Sequence, residues 1–428
     1  MRKKISSIIM SVLLFVSTFT FSNFQAISVK ADTTSDSTAG INWMNNSKYF
    51  ALGANYAWQD WGNDFNDNGW DQRYPKLKAT LDDMASQGIH SVRWWVFCNM
   101  WASPLFTSTD GKGVCTGLPS KWVDHMKEIT DYAYSKDMKI YYTFTSFDVA
   151  TNTNDFYHGT IIDNLDIRKS FIDNAVTPIV QGLGNNPGVM GWDIINEPEW
   201  VISSADNGCP NGKCTPYSLA TMRSFVKDMA DCIHKYAKQP VSVGSASMKW
   251  LGGQYPNFWA GLGLDFYDFH WYDWATPYFN PLKITAASLN LDKPVIIGEM
   301  MPDLSTSTDP QVKSMTHEQV LEGILKNGYG GYMLWSWTDT SGFNCEGKTT
   351  PYFAEFKNLH PALNIDNIKV ITGDLNDDSK VDSADYLLLK NYLINRSTKI
   401  DTKAADVNND GKINVLDYLK LRRLIINA

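Results

Sequence analysis

The strongest constraint on this chain is an alternation. Between residues 49 and 359, short apolar runs are each followed by a longer stretch, usually amphipathic, and the pair recurs eight times. The apolar runs are 49–54, 91–97, 139–145, 189–195, 241–244, 266–270, 295–298 and 331–335. Runs this short and this continuously apolar suit strands buried on both faces, as in a parallel sheet covered by helices. The amphipathic partners are 77–87, 122–135, 167–183, 219–238, 282–289, 318–327 and 352–359, with a short helix at Phe258-Trp259-Ala260 in the irregular fifth unit. Eight such units in roughly 320 residues predict an α/β chain folded as a closed (β/α)8 TIM barrel. An open doubly wound sheet would call for a glycine-rich phosphate turn after the first strand, and the sequence has none there.

Ahead of the barrel, Met1-Arg2-Lys3-Lys4 precedes an apolar run from Ile5 to about Phe21, and Val29-Lys30-Ala31 offers small residues for cleavage. This is the pattern of a secretory signal peptide over residues 1–31. Ser6, Ser7, Ser11, Ser17, Thr18 and Thr20 dilute the run below a good spanning helix, so no transmembrane segment or membrane partner is expected. The segment carries four basic residues and no acid, so its removal takes the formal charge from −8 to −12. A mature chain that acidic lacks the clustered Lys and Arg that nucleic acid requires. The six cysteines are too few for a disulfide-built fold. Cys209 with Cys214 and Cys98 with Cys115 are local bridging candidates, and Cys232 and Cys345 read as buried thiols.

In a parallel barrel the chemistry sits at the C-terminal rim of the strands. The fourth run ends in Asn196-Glu197-Pro198-Glu199, where Pro198 cannot donate to a ladder and pairing should stop. The seventh ends in Gly298-Glu299. Between them stand Arg93 with Trp94 and Trp95 after the second run, His270 and Tyr272 after the sixth, and Trp335 after the eighth. Any one of these has a structural reading: Arg93 as a core ion pair, His270 as a bonded core histidine, Trp335 as packing. Together, two glutamates on one rim make the minimum set for glycoside hydrolysis, one protonating the leaving oxygen and the other attacking carbon or activating water. Arg93 and Tyr272 would hold Glu299 as an anion, and Asn196 would grip a hydroxyl beside the cleaved bond. His270 would orient Glu197 or bind substrate. Trp335 would stack on a sugar. Sixteen Trp and twenty Tyr fit a sugar cleft, and Trp58, Trp61, Trp70, Trp101, Trp200 and Trp274 fall in loops beyond the strands. Glu199, past the proline, reads as a loop residue near the cleft. These residues leave retention and inversion equally open.

The pattern Asn196-Glu197-Pro198, Glu299, Arg93, His270-x-Tyr272 and Trp335 resembles glycoside hydrolase family 5, the cellulases and mannanases of the retaining (β/α)8 clan. The resemblance covers roughly residues 41–360. It implies Glu197 as acid/base, Glu299 as nucleophile, net retention and no cofactor for catalysis. Many members carry a histidine after the third strand, where this chain has Tyr141-Tyr-Thr-Phe-Thr-Ser-Phe-Asp148, so Ser146 or Asp148 would fill that space. The departure tilts the expected substrate from cellulose towards mannan. Asp64-Phe-Asn-Asp-Asn-Gly69 opens like a calcium loop, yet its twelfth position is Pro75, which offers no side-chain oxygen; a rim of the cleft is the expected role.

Past Pro361 the sequence repeats at a spacing of 32. Asp374, Asn376, Asp378, Asp382 and Asp385 in the first copy align with Asp406, Asn408, Asp410, Asn414 and Asp417 in the second, and Lys380 and Lys412 occupy the seventh position, where a main-chain carbonyl serves. Oxygen donors at that spacing suit Ca2+. Each loop leads into a Leu/Tyr-rich helix, 386–394 and 418–426. The pair resembles a type I dockerin, which implies Ca2+ in the module and the cohesin domain of a scaffoldin as partner. Ser379 stands where the first loop usually has glycine, and Ser383-Ala384 differ from Val415-Leu416 where dockerins choose their cohesin.

The expected organisation is therefore signal peptide 1–31, catalytic barrel 40–362, linker 363–372 and dockerin 373–428. The expected function is a secreted endo-β-1,4-glycanase of mannanase or cellulase type, with a monomeric catalytic domain, acting on β-linked cell-wall polysaccharide within a cellulosome. The alternatives are an exo-acting or transglycosylating relative, and a carbohydrate-binding adaptor that has lost catalysis.

Overall fold

The computed structural model of the protein describes residues 50–109, 112–151, 158–205, 214–339, 343–349, 351–360, 363, 372–376, 380–396, 398, 400, 402–408 and 412–427. The expected signal peptide, most of the 363–372 linker, Cys209, Asp378 and Asp410 lie outside them.

Eight parallel strands close into a barrel: β1 (Ala51–Asn55), β2 (Ser91–Trp95), β5 (Lys139–Ser146), β6 (Val189–Asn196), β7 (Val241–Ser245), β8 (Tyr267–Trp271), β9 (Val295–Met300) and β10 (Gly331–Leu334), with β10 pairing back onto β1. Every residue of these strands is buried, the double-faced burial that the uninterrupted apolar runs imply. Side chains alternate between two cores. Ala51, Tyr141, Met190, Phe266, Ile296 and Met333 fill the barrel interior, while the opposite faces join the larger cluster shared with the surrounding helices. Three pairing irregularities fall beside the rim. One lies between Asp193 and Asn196 on the β6–β7 edge, one between Tyr332 and Leu334 on the β9–β10 edge, and the third, at Phe269/His270, brings His270 level with Glu299. Such irregularities re-aim side chains next to active sites.

The helices Trp122–Ser135, Leu219–Tyr236, His317–Lys326 and Tyr352–Leu359 fall where the periodicity puts them. The third unit is a helix broken by a π turn at Ile172–Val176, just ahead of Pro178, which has no N–H to continue the ladder. Three expectations change. The first helix runs Trp70–Ser86, starting earlier than the apolar pattern and carrying Pro75 inside its second turn, where the ring removes one ladder hydrogen bond. Phe258-Trp259-Ala260 is a turn, and the short 3-10 helix of that region is Met248–Trp250. The sixth unit's 282–289 stretch forms only the 3-10 turn Ala286–Leu289. An antiparallel hairpin, β3 (Leu105–Thr109) with β4 (Lys112–Gly117), is inserted after the second barrel strand. Cys98 and Cys115 are free and buried, so the proposed bridge between them is not formed; Cys232 and Cys345 are free and buried as expected, and Cys214 is disulfide-bonded.

At the C-terminus, the two repeat helices run Ser383–Ile394 and Val415–Asn427, each beginning three residues before the expected start. Leu375, Leu389, Ala405, Val407 and Leu421 form their own small core, and Tyr386 stacks on Tyr418 at 4.1 Å. Asp385 and Asp417 are buried and act alike. Asp385 accepts from the main-chain N–H of Asn376 and Asp382, and Asp417 from those of Asn408 and Asn414. Among the described residues, no helix is long and apolar enough to cross a membrane.

The closeness of β1 to β2 yields a test. A Cβ on Gly53 would sit 2.0 Å from the Ser91 carbonyl oxygen, a main-chain atom that cannot swing aside. Gly53→Ala should destabilise the barrel by ~1–3 kcal/mol or more, read as a lower Tm, whereas Gly330→Ala, whose Cβ would meet nothing closer than 3.6 Å, should cost far less.

Candidate active site

One buried guanidinium ties the rim together. Arg93 ends up with every donor bonded: Nε and Nη2 reach Asp193 Oδ2 at 3.3 and 2.7 Å, Nη1 reaches Asn55 Oδ1 at 3.0 Å and Glu299 Oε1 at 2.6 Å, and Nη2 also reaches Asn196 Oδ1 at 2.8 Å. Asn55 is fixed in turn, its Nδ2 donating to the carbonyls of Gly298 and Leu334. Asp193 also accepts from Thr143 Oγ1 and Gly244 N. Gly244 is needed at its position: a Cβ there would lie 2.7 Å from Arg93 Nη2 and 2.9 Å from Asp193 Oδ2.

Glu197 stands just past β6 with a left-handed backbone (φ 48°, ψ 48°), its N–H donating to the Gly244 carbonyl at 2.6 Å before Pro198 opens a 3-10 turn. A non-glycine residue held there is strained by ~1–3 kcal/mol, a cost that recurs at functional sites. His270 Nδ1 lies 2.7 Å from Glu197 Oε1 and 3.4 Å from Glu299 Oε2. Trp200 Nε1 donates to Glu197 Oε2 at 2.7 Å, and Tyr272 OH donates to Glu299 Oε2 at 2.8 Å. A carboxylate oxygen of each glutamate and a ring nitrogen of His270 all lie within 4.8 Å of one another. Three such groups can ligate a cation, but the guanidinium, the hydroxyl and the indole N–H already face these oxygens as donors. The arrangement is that of a carboxyl pair.

The two carboxyls differ electrostatically. Burial raises Glu197 to about 7, against the opposing pull of the Trp200 hydrogen bond and the Arg93 charge. Burial also raises Glu299, but the Arg93 charge and the Tyr272 hydroxyl favour its ionised form, and Arg93 is in direct contact with it. Burial lowers His270 to about 4, so its imidazole is neutral at pH 7. Burial opposes the charge on Arg93, but Asp193, Glu299 and Asp268 outweigh it and keep the guanidinium charged. Asp268, below the site, is driven well above the carboxylate range, by burial first and then by Asp193 and Glu299, and accepts from Tyr141 OH.

The structure thus brings Arg93, Asn196, Glu197, His270, Tyr272 and Glu299 together. Trp335 lies on the same rim, packed with Trp58 at 5.9 Å and Trp95 at 5.5 Å, and Trp61 completes that cluster. Trp274 lies 5.4 Å from Trp200 on the Glu197 side. Trp101 is largely exposed. Other expectations are corrected. Trp70 is buried and stacks on His125 at 4.0 Å, a packing role. Glu199 is wholly buried, accepting from Ser245 Oγ, Ala246 N and Trp259 Nε1; it braces the loops instead of edging the cleft. Asp64 is buried too, accepting from the N–H groups of Gln59 and Asp60 and from Trp94 Nε1, so it pins its loop. Where a histidine was looked for after the third strand, Ser146 Oγ donates to Asp148 Oδ2 at 2.9 Å. The sequence reading missed Asn55, Asp193, Trp200's bond to Glu197, and Asp268. The signal for the two aspartates was present: a carboxylate inside a run otherwise apolar on both faces must have a buried partner.

Comparison with known proteins bears on the barrel and on the C-terminal module. A family model described as the dockerin type I domain matches residues 372–426. The chain is 28% identical over 340 residues to a mannan endo-1,4-beta-mannosidase of Mytilus edulis, covering 71% of this chain and 88% of that protein. It is 26% identical over 331 residues to a mannan endo-1,4-beta-mannosidase of Cryptopygus antarcticus, covering 70% and 82%. Among solved structures it superposes on the beta-mannanase of the blue mussel Mytilus edulis with a TM-score of 0.58 at 26% identity, covering 71% of this chain and 94% of that one. The beta-1,4-D-mannanase of Cryptopygus antarcticus gives 0.61 at 24%, covering 73% and 90%, and supports the fold. The resemblance to a glycoside hydrolase barrel joined to a type I dockerin therefore stands.

The Trp200 contact makes a prediction whose sign is fixed. Its hydrogen bond stabilises the ionised form of Glu197, so Trp200→Phe should raise the Glu197 pKa above about 7. Titration of a 13C-labelled glutamate carboxyl would read the shift.

Proposed function

We propose that this glycoside hydrolase is a secreted, retaining endo-β-1,4-mannanase held on a cellulosomal scaffold by its dockerin. The observation that carries the reading is the spacing of the two carboxyls. Oxygens of Glu197 and Glu299 lie within 4.8 Å of one another, near the ~5–5.5 Å typical of retaining enzymes and short of the ~6.5–9.5 Å that leaves room for an attacking water. Glu299, ionised against Arg93 and Tyr272, attacks the anomeric carbon as the glycosidic bond breaks. Glu197, protonated near neutral pH, passes its proton to the departing oxygen, leaving a glycosyl ester on Glu299. In the second half, Glu197 as carboxylate takes a proton from water, which attacks the same carbon and frees Glu299.

His270, neutral and wholly buried, steadies Glu197 through Nδ1. Asn196 has its Oδ1 tied to Arg93, which turns its amide N–H2 into the group that donates to a substrate hydroxyl. Trp335 offers a ring face to a sugar. Aromatic residues on two sides of the pair, Trp58, Trp61, Trp95 and Trp335 on one and Trp200 and Trp274 on the other, suit a chain cut in its middle. Mannan as substrate is supported by the names of both curated relatives.

For the dockerin, the donor set fits Ca2+. Asp374, Asn376, Asp378, the Lys380 carbonyl, Asp382 and Asp385, with their counterparts Asp406, Asn408, Asp410, the Lys412 carbonyl, Asn414 and Asp417, offer the oxygens a hard cation takes. The buried position-twelve aspartates already sit on matched N–H groups in both loops. Bound Ca2+ would gather these carboxylates and order the loops. Cohesin is the partner the module implies.

Two tests follow. Glu197→Ala and Glu299→Ala should each lower kcat/KM on mannan by roughly 10²–10⁴-fold or more with the fold intact by circular dichroism; unchanged turnover in either would contradict the assignment. In the wild type, kcat/KM should fall as pH rises through about 7, where Glu197 loses the proton it must donate. For the dockerin, EDTA should abolish cohesin binding on an affinity gel while mannan hydrolysis persists, and added Ca2+ should restore binding.

A further inference from the structure

The loop after the fifth barrel strand holds a cation inside a ring of aromatics. Lys249 is only 5% exposed, and its Nζ lies 4.8 Å from the Tyr278 ring centre, 5.0 Å from that of Trp250 and 5.6 Å from that of Tyr255. Its main chain is fixed from both sides: Lys249 N donates to Ser247 Oγ at 3.2 Å, and Lys249 O accepts from Gln254 N at 3.0 Å and Tyr255 N at 2.9 Å. The side chain is therefore presented in one place.

The chain is acidic, yet among the described residues no carboxylate pairs with this ammonium and no oxygen accepts from it. Ring faces offset part of the charge but do not replace hydrogen-bond acceptors, and an ammonium carries three donors. The cage also has a definite address. Trp250 lies 6.4 Å from Trp274, Trp274 lies 5.4 Å from Trp200, and Trp200 is bonded to Glu197. It is on the proton donor's side of the cleavage point. Trp274 and Tyr278 are 38% and 48% exposed, so part of their surface is open to a ligand.

We propose that Lys249 is a specificity-determining residue for the leaving-group part of the polysaccharide. Its Nζ donates to a hydroxyl of a neutral pyranose beyond the sugar that receives the proton, and the Trp274 and Tyr278 rings take that pyranose's C–H surface. Aromatic faces and an ammonium donor together match a sugar, which offers C–H surface and hydroxyl oxygens on one ring. This rests on the reading of Glu197 as the proton donor.

The test compares full-length wild type with Lys249→Met, which keeps the length of the side chain and removes the charge, on two substrates. Mannohexaose reaches beyond the first leaving-side position; an aryl β-mannobioside, whose aryl group is the leaving group, does not. Lys249→Met should lower kcat/KM on mannohexaose about tenfold, mainly through KM, the size expected for losing a charged hydrogen bond. It should change the aryl substrate less than twofold. Lys249→Gln, which retains a weaker donor, should fall between, and it serves alone if Lys249→Met does not fold. Equal losses on both substrates, or none on either, would overturn the proposal and leave Lys249 a packing residue. A wild-type protein that turns over neither substrate would overturn the mannanase reading, and this inference with it.

Discussion

The rim depends on one buried charge. A guanidinium taken out of water costs several kcal/mol unless it is paired and its donors are used. Arg93 meets both conditions: its five N–H donors are spent on Asp193, Asn55, Asn196 and Glu299. Those partners come from three other strands, so the cation fixes the relative height of β1, β2, β6 and β9. The same contact favours the ionised form of Glu299 against the burial that raises it, while burial raises Glu197 to about 7. Asp268, close enough to feel the same charge, is pushed up by burial and by its neighbours Asp193 and Glu299, against the pull of Arg93. Lysine has neither the fork nor the number of donors to replace it.

Much of the barrel was legible because burial on both faces leaves a plain trace. Strands such as β6 and β9 read as apolar runs, and each ends in a carboxylate that an apolar run does not need. That is why Glu197 and Glu299 stood out. The network beneath them did not, because Asn55, Asp193 and Asp268 acquire meaning only when their partners, distant in sequence, are brought alongside. Glu199 shows the same limit from the other side. Two residues from Glu197 and of the same type, it is turned into the loops by the Pro198 turn and fixed by Ser245, Ala246 and Trp259.

Local misreadings have local causes. In sequence Asp110-Gly111, a pair that favours hairpin turns, stands between β3 and β4, but the short Thr- and Gly-bearing strands carry too little apolar surface to draw notice. The sixth unit shortens to a 3-10 turn because its apolar positions are spread over a loop packed against neighbours. The C-terminal repeat was legible for a different reason: two copies at a fixed spacing report a module without any knowledge of its packing. The structure adds that Asp385 and Asp417 make equivalent buried contacts, so the repeat in sequence is also a repeat in geometry.

The central claim is that Glu197 and Glu299 are spaced for double displacement. Proton NMR of the first product formed from a manno-oligosaccharide, recorded before mutarotation, tests it most directly. The new reducing end should appear first as the β-anomer, with the α-anomer growing in only on standing. An α-anomer as the first product would mean inversion and would contradict it.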